Sequence, residues 1–160
     1  MMNLEIQAIY VMWLRQMKRF VRSKSRLLVS IIQPLFFLLI LGSGFNQIQL
    51  ADIGTIDYRS FLAPGIITMA IVFSSMFTGI SVLWDKQFGF LQEVLVAPVS
   101  RLSIIIGRTL GGASVALVQG FIILLISIFL GIPFSGPVGI LLTLLFMIFT
   151  AFTAVGFGLI

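Results

Sequence analysis

The chain has 160 residues, 59% hydrophobic and only 9% charged, with a net charge of +5 and neither His nor Cys. Soluble domains carry about 25% charged residues, so this balance, with a mean hydropathy of +1.19, excludes that class and indicates a membrane protein. The missing His and Cys exclude a disulfide framework, a Cys or His metal site and a catalytic Cys or His, and ten basic residues are too few for a nucleic-acid track.

Residues 4–26 read as a basic amphipathic helix. Ile6, Ile9, Tyr10, Trp13, Met17 and Phe20 follow the three- and four-residue spacing of one helix face. Arg15, Lys18, Arg19 and Arg22 take the opposite side. An apolar face, a basic face and a Trp describe a helix lying in the membrane surface, with Trp13 and these four cations as its interfacial contacts. The plainer reading is a basic anchor that orients the first span. In both readings the helix positions the chain and performs no chemistry.

Three charge-free runs follow: Leu27–Ala51, Ser60–Trp84 and Thr109–Ile160. A helix needs roughly 20 apolar residues to cross a hydrocarbon core. The third run is long enough for two passes and is punctuated by the Gly and Pro residues of 131–137. Four transmembrane helices are therefore expected, over 29–45, 61–84, 109–130 and 138–160. Runs such as Phe36-Phe37-Leu38-Leu39-Ile40-Leu41 do not alternate in polarity as barrel strands would. The fold class is all-α, a multi-pass membrane protein.

Six basic residues precede the first span, and Lys86, Arg101 and Arg108 lie between the second and third. Cytoplasmic loops collect Lys and Arg, which places the N-terminus and the 85–108 loop in the cytoplasm. Gln33 and Gln119 are the polar groups deepest in the spans and suit bonds across helices. Gly107, Gly111, Gly112 and Gly120 suit close helix contact. Phe36, Phe37, Phe73 and Phe77 either line an apolar path or face lipid and neighbouring helices.

Between spans two and three, Asp85–Ala97 reads as a short helix ended by Pro98. Phe88, Leu91 and Leu95 share one side, while Lys86, Phe90 and Glu93 share another. Apolar residues on two sides suit a helix that lies against the bundle and also meets a partner. A surface or re-entrant helix without a partner is the alternative.

This segment resembles the signature of the ABC-2 type transporter permeases, Asp-Arg-Glu-x-Gly-x-Leu-x-Glu-x-Leu-x-x-Pro-x-Ser-Arg. The matches are Asp85, Gly89, Leu91, Glu93, Leu95, Pro98, Ser100 and Arg101, with Lys86 a conservative replacement and Gln87 standing where the family has Glu. Leu41-Gly42-Ser43-Gly44-Phe45, Phe61-Leu62-Ala63-Pro64-Gly65-Ile66, and Gly107-Arg108 before Gly111-Gly112 are also similar to the family. The resemblance implies an exporter permease for a hydrophobic or lipid-like substrate (a drug, an antibiotic or a polysaccharide-lipid) in the cytoplasmic membrane. A separate ATPase subunit that carries ATP and Mg would dock on a coupling helix at 85–101, and a second permease copy would complete the path. It further implies Asp85, Lys86, Gln87, Phe90, Glu93 and Arg101 as the ATPase-coupling residues. The charge lost at Gln87 leaves a salt bridge there in question.

No formal charge lies inside the four expected spans, which argues against a proton-coupled pump. The chain has no Gly-x-x-x-x-Gly-Lys-Ser/Thr loop, so ATP hydrolysis is expected elsewhere. No cofactor is expected on this chain. The rival function is a non-transport membrane scaffold or assembly protein. The family has six spans, so four imply a C-terminally truncated product.

Overall fold

Backbone N–H and C=O groups in lipid must bond within the chain, and unbroken apolar runs leave the α-helix as the solution. The computed structural model describes residues 2–44, 58–87, 99–132 and 136–158. All its elements are helices: α1 (Met2–Arg22), α2 (Lys24–Gly44), α3 (Tyr58–Gln87), α4 (Arg101–Phe129) and α5 (Gly136–Gly158). The protein is all-α and multi-pass. By length and composition, the Ser60–Ser81 stretch of α3, the whole of α4 and the whole of α5 can each cross a membrane. In α2 the apolar stretch found among the described residues is Leu28–Leu41.

The helix ends depart from the sequence expectation where the charges lie. The helix expected over 4–26 stops at Arg22, and the single non-helical residue Ser23 separates it from α2. Past the expected end at Trp84, α3 continues through Asp85 to Gln87. Two turns before the expected Thr109, α4 begins at Arg101. The helices run past the span limits expected beside Asp85 and Arg108, because these two residues pair inside the bundle. The helix expected over Asp85–Ala97 is thus described only in its first three residues, which form the last turn of α3. Residues 88–98, with Phe90 and Glu93, lie outside the described residues.

At the centre stands α4, in contact with the other four helices. Ser100 caps its start, its hydroxyl accepting from the Ser103 N–H at 3.2 Å. Its end is a Schellman turn: the Ile132 N–H bonds the Ser127 carbonyl and the Gly131 N–H bonds the Ile128 carbonyl. Gly131 takes φ +72°, a conformation that side chains with a Cβ resist.

The main core joins Ile67, Ala70 and Ile71 of α3 to Ala113, Ala116, Ile123 and Leu124 of α4 and Met147 and Ala151 of α5. Small residues set the helix spacing. A Cβ at Gly112 would sit 2.6 Å from Thr78 Cγ2, and one at Gly120 would sit 2.8 Å from Met147 Cε. Buried hydroxyls along α3 bond back into their own helix, Ser75 to the Ile71 carbonyl and Thr78 to the Ser74 carbonyl. Between α4 and α2, Gln119 Nε2 donates to Ser30 Oγ at 2.8 Å.

Candidate functional site

Asp85 occupies the last turn of α3 and is 5% exposed. A carboxylate there faces a penalty, since burial disfavours charge. Three guanidiniums offset it. Arg19 Nη2 lies 2.9 Å from Oδ1, and Arg108 Nη2 lies 2.9 Å from Oδ2. Arg15 stands further off, its Nη1 and Nη2 each 3.4 Å from a carboxylate oxygen. The cluster joins three helices: Arg15 and Arg19 sit one turn apart on α1, Asp85 closes α3, and Arg108 belongs to α4. Its interior half is the Asp85–Arg108 pair, with side chains 7% and 9% exposed.

The arginines of α1 reach this point because α1 lies closely along α4. Gly107 and Gly111, one turn apart, form the seat. A Cβ at Gly107 would fall 2.8 Å from Met12 Cβ, and one at Gly111 would fall 2.8 Å from Gln16 Cβ. Beyond the glycines, Trp13 Nε1 donates to Ser114 Oγ at 3.0 Å. Near the other end, Ser103 Oγ donates to Glu5 Oε2 at 3.5 Å, an acidic group by the start of α4. Ile9, Met12, Trp13 and Gln16 therefore form the contact stripe, at the i, i+3, i+4, i+7 spacing of one helix face.

The structure places the expected site residues as follows. Asp85, expected among the ATPase-coupling residues, is turned inward and fully engaged. Arg15 and Arg19, expected at the membrane surface, are its partners, so two groups read as separate meet in one cluster. Trp13 is half-buried and bonded to α4, whereas Ile6 and Tyr10, expected on the same face, are well exposed. Lys18 and Arg22 are exposed on α1, and Gln87 and Arg101 are exposed at the helix ends that flank 88–98. Of Lys86 only the helical backbone is described; Phe90 and Glu93 fall outside the described residues. Sequence reasoning missed Arg108 as the buried partner and Ser114 as the Trp13 acceptor. The available signal was the spacing of Arg15 and Arg19, with Gly107 and Gly111 one turn apart on the helix that carries Arg108.

The family described as "ABC-2 type transporter" matches residues 7–160. The chain is 33% identical over 138 residues to the transport permease ycf38 of Porphyra purpurea, covering 84% of this chain and 46% of that protein. It is 29% identical over 137 residues to the inner membrane transport permease YadH of Escherichia coli K12, covering 84% of this chain and 53% of that protein. It is 34% identical over 107 residues to the protein named as the multidrug ABC transporter permease YbhR of the same strain, covering 66% and 28% respectively. The chain thus spans about half the length of the first relatives it matches. No solved structure gives a significant match.

Proposed function

The chain belongs to the ABC-2 type transporter family, and on that footing we propose that it forms the membrane permease part of an ATP-binding cassette exporter. Its N-terminus and 85–101 segment face the cytoplasm, where a separate ATPase subunit carrying ATP and Mg docks. Lys86, Gln87, Phe90, Glu93 and Arg101 meet that subunit, and a second permease copy, identical or related, completes the path. The cargo is hydrophobic or lipid-like and leaves the cytoplasmic leaflet, and the chain itself does no chemistry.

The observation that carries this reading is the Asp85 cluster at the threshold of the docking segment. A signal from an ATPase has to reach the spans through elements that move together. Asp85 lies three residues before residue 88, and its carboxylate ties the end of α3 to α1 and α4. Displacement of the docked segment then shifts three helices as a unit instead of bending one helix end. On this account Asp85 is a positioning residue, and the docking contacts lie beyond it.

The test is co-purification. Membranes holding the tagged chain and its candidate ATPase should yield both proteins from one affinity step. Glu93→Lys should lower the recovered ATPase at least tenfold with membrane insertion unchanged. A chain that recruits no ATPase under any condition would instead support a scaffold.

A further inference from the structure

A cleft of about 290 Å³ opens between α2, α3 and α4, close to the lower end of the size range of small-molecule sites. Its walls are mainly apolar, with Phe37, Met69, Phe73 and Phe77 each 38–49% exposed and so reachable from the side of the bundle. Among the described residues, no ionisable side chain lines it. Gln119 does, at 2% exposure, and its amide is only half satisfied. Nε2 donates to Ser30 Oγ, while Oε1 is buried with no hydrogen-bond partner. A buried carbonyl left without a donor is costly, and the bond to Ser30 uses only the other end of the amide.

We propose that this cleft binds a neutral amphiphile: a long apolar body along Phe37, Phe73 and Phe77, with one hydroxyl or N–H donating to Gln119 Oε1. Each part of that description has its own cause. The aromatic and aliphatic walls select the apolar body. The absence of a charged group among the described lining residues disfavours an ionic head, because burying an unpaired charge costs far more than burying a paired hydroxyl. The orphan carbonyl requires a donor, so an ether or ester oxygen in the head would not satisfy it. The assignment rests on the exporter reading for its meaning as a cargo site, and it narrows that cargo to uncharged, donor-bearing lipids or drugs.

The experiment uses the whole chain in lipid nanodiscs, without any ATPase. The probe is dodecanol carrying a photoreactive diazirine in mid-chain, with labelled positions mapped by mass spectrometry. Labelling should concentrate on Val29–Phe37 and Met69–Phe77. Unlabelled dodecanol should compete about tenfold better than dodecyl methyl ether, which keeps the chain and lacks the donor, as expected for one buried hydrogen bond. Gln119→Met should abolish that preference. Labelling spread over exposed faces such as Phe146 and Phe149 of α5, or equal competition by alcohol and ether, would overturn the proposal. The alcohol–ether comparison is made on the unaltered chain and decides the matter even where the variant fails to fold. Since no ATPase is present, failure here leaves the co-purification result untouched, and failure there leaves this binding result standing.

Discussion

Asp85 serves three guanidiniums, and the three are not equivalent. Arg108 is enclosed with it, whereas Arg15 and Arg19 have side chains 33% and 39% exposed. Breaking a buried ion pair by removing one partner costs about 3–5 kcal/mol, because the survivor stays buried and uncompensated. Partly exposed pairs contribute about 0–1 kcal/mol. Asp85→Asn, which leaves Arg108 buried without its carboxylate, should therefore lower the unfolding free energy in detergent by roughly 3–5 kcal/mol, Arg108→Gln by less because Arg19 still holds Asp85, and Arg19→Gln by less than about 1 kcal/mol. The double variant Asp85→Asn/Arg108→Gln should lose much less than the sum of its parts, since no lone buried charge remains. Denaturant titration of the four proteins tests the ranking. Additive losses would show that Asp85 and Arg108 stabilise the bundle independently.

At the scale of the helix, α1 shows why some of the structure was legible in the sequence and some was not. The periodicity of apolar residues correctly gave a helix, since spacing reports secondary structure wherever one face is apolar. It does not separate the apolar residues that meet protein from those that meet the membrane surface. Ile6 and Tyr10 are as apolar as Ile9 and Trp13, and nothing in their spacing says which pair meets protein. The choice is made by the partner: Gly107 and Gly111 leave room on α4 only for the stripe of Ile9, Met12, Trp13 and Gln16. Gly111→Leu should therefore lift α1 from its seat. Because the chain has no native Cys, Gln16→Cys reports this directly. Its alkylation should be slow in the parent background and at least tenfold faster with Gly111→Leu, and unchanged rates would contradict the seating. At the end of α4, Gly131→Ala should cost about 1–2 kcal/mol, the penalty for a Cβ in the left-handed region. Circular dichroism during a thermal melt would register that loss.

For the whole molecule, composition alone identified a membrane protein, and the charge-free runs located α3, α4 and α5 to within a few residues except where α4 starts early. They failed at the charged ends because a window of apolar residues treats every charge as a boundary. Asp85 and Arg108 stay inside the bundle by neutralising one another, and that pairing is a tertiary fact. Orientation comes from the distribution of basic residues. A thiol at Gln7→Cys should react only with reagent applied from the cytoplasmic side, and one at Asn46→Cys only from the other. Reaction of both from one side would contradict the topology. The central claim is that the segment entered through Asp85 receives an ATPase, and the most direct measurement is the amount of ATPase recovered with the Glu93→Lys chain relative to the parent. The account predicts at least a tenfold loss with unfolding stability unchanged. Full recovery of the ATPase with the Glu93→Lys chain would contradict it.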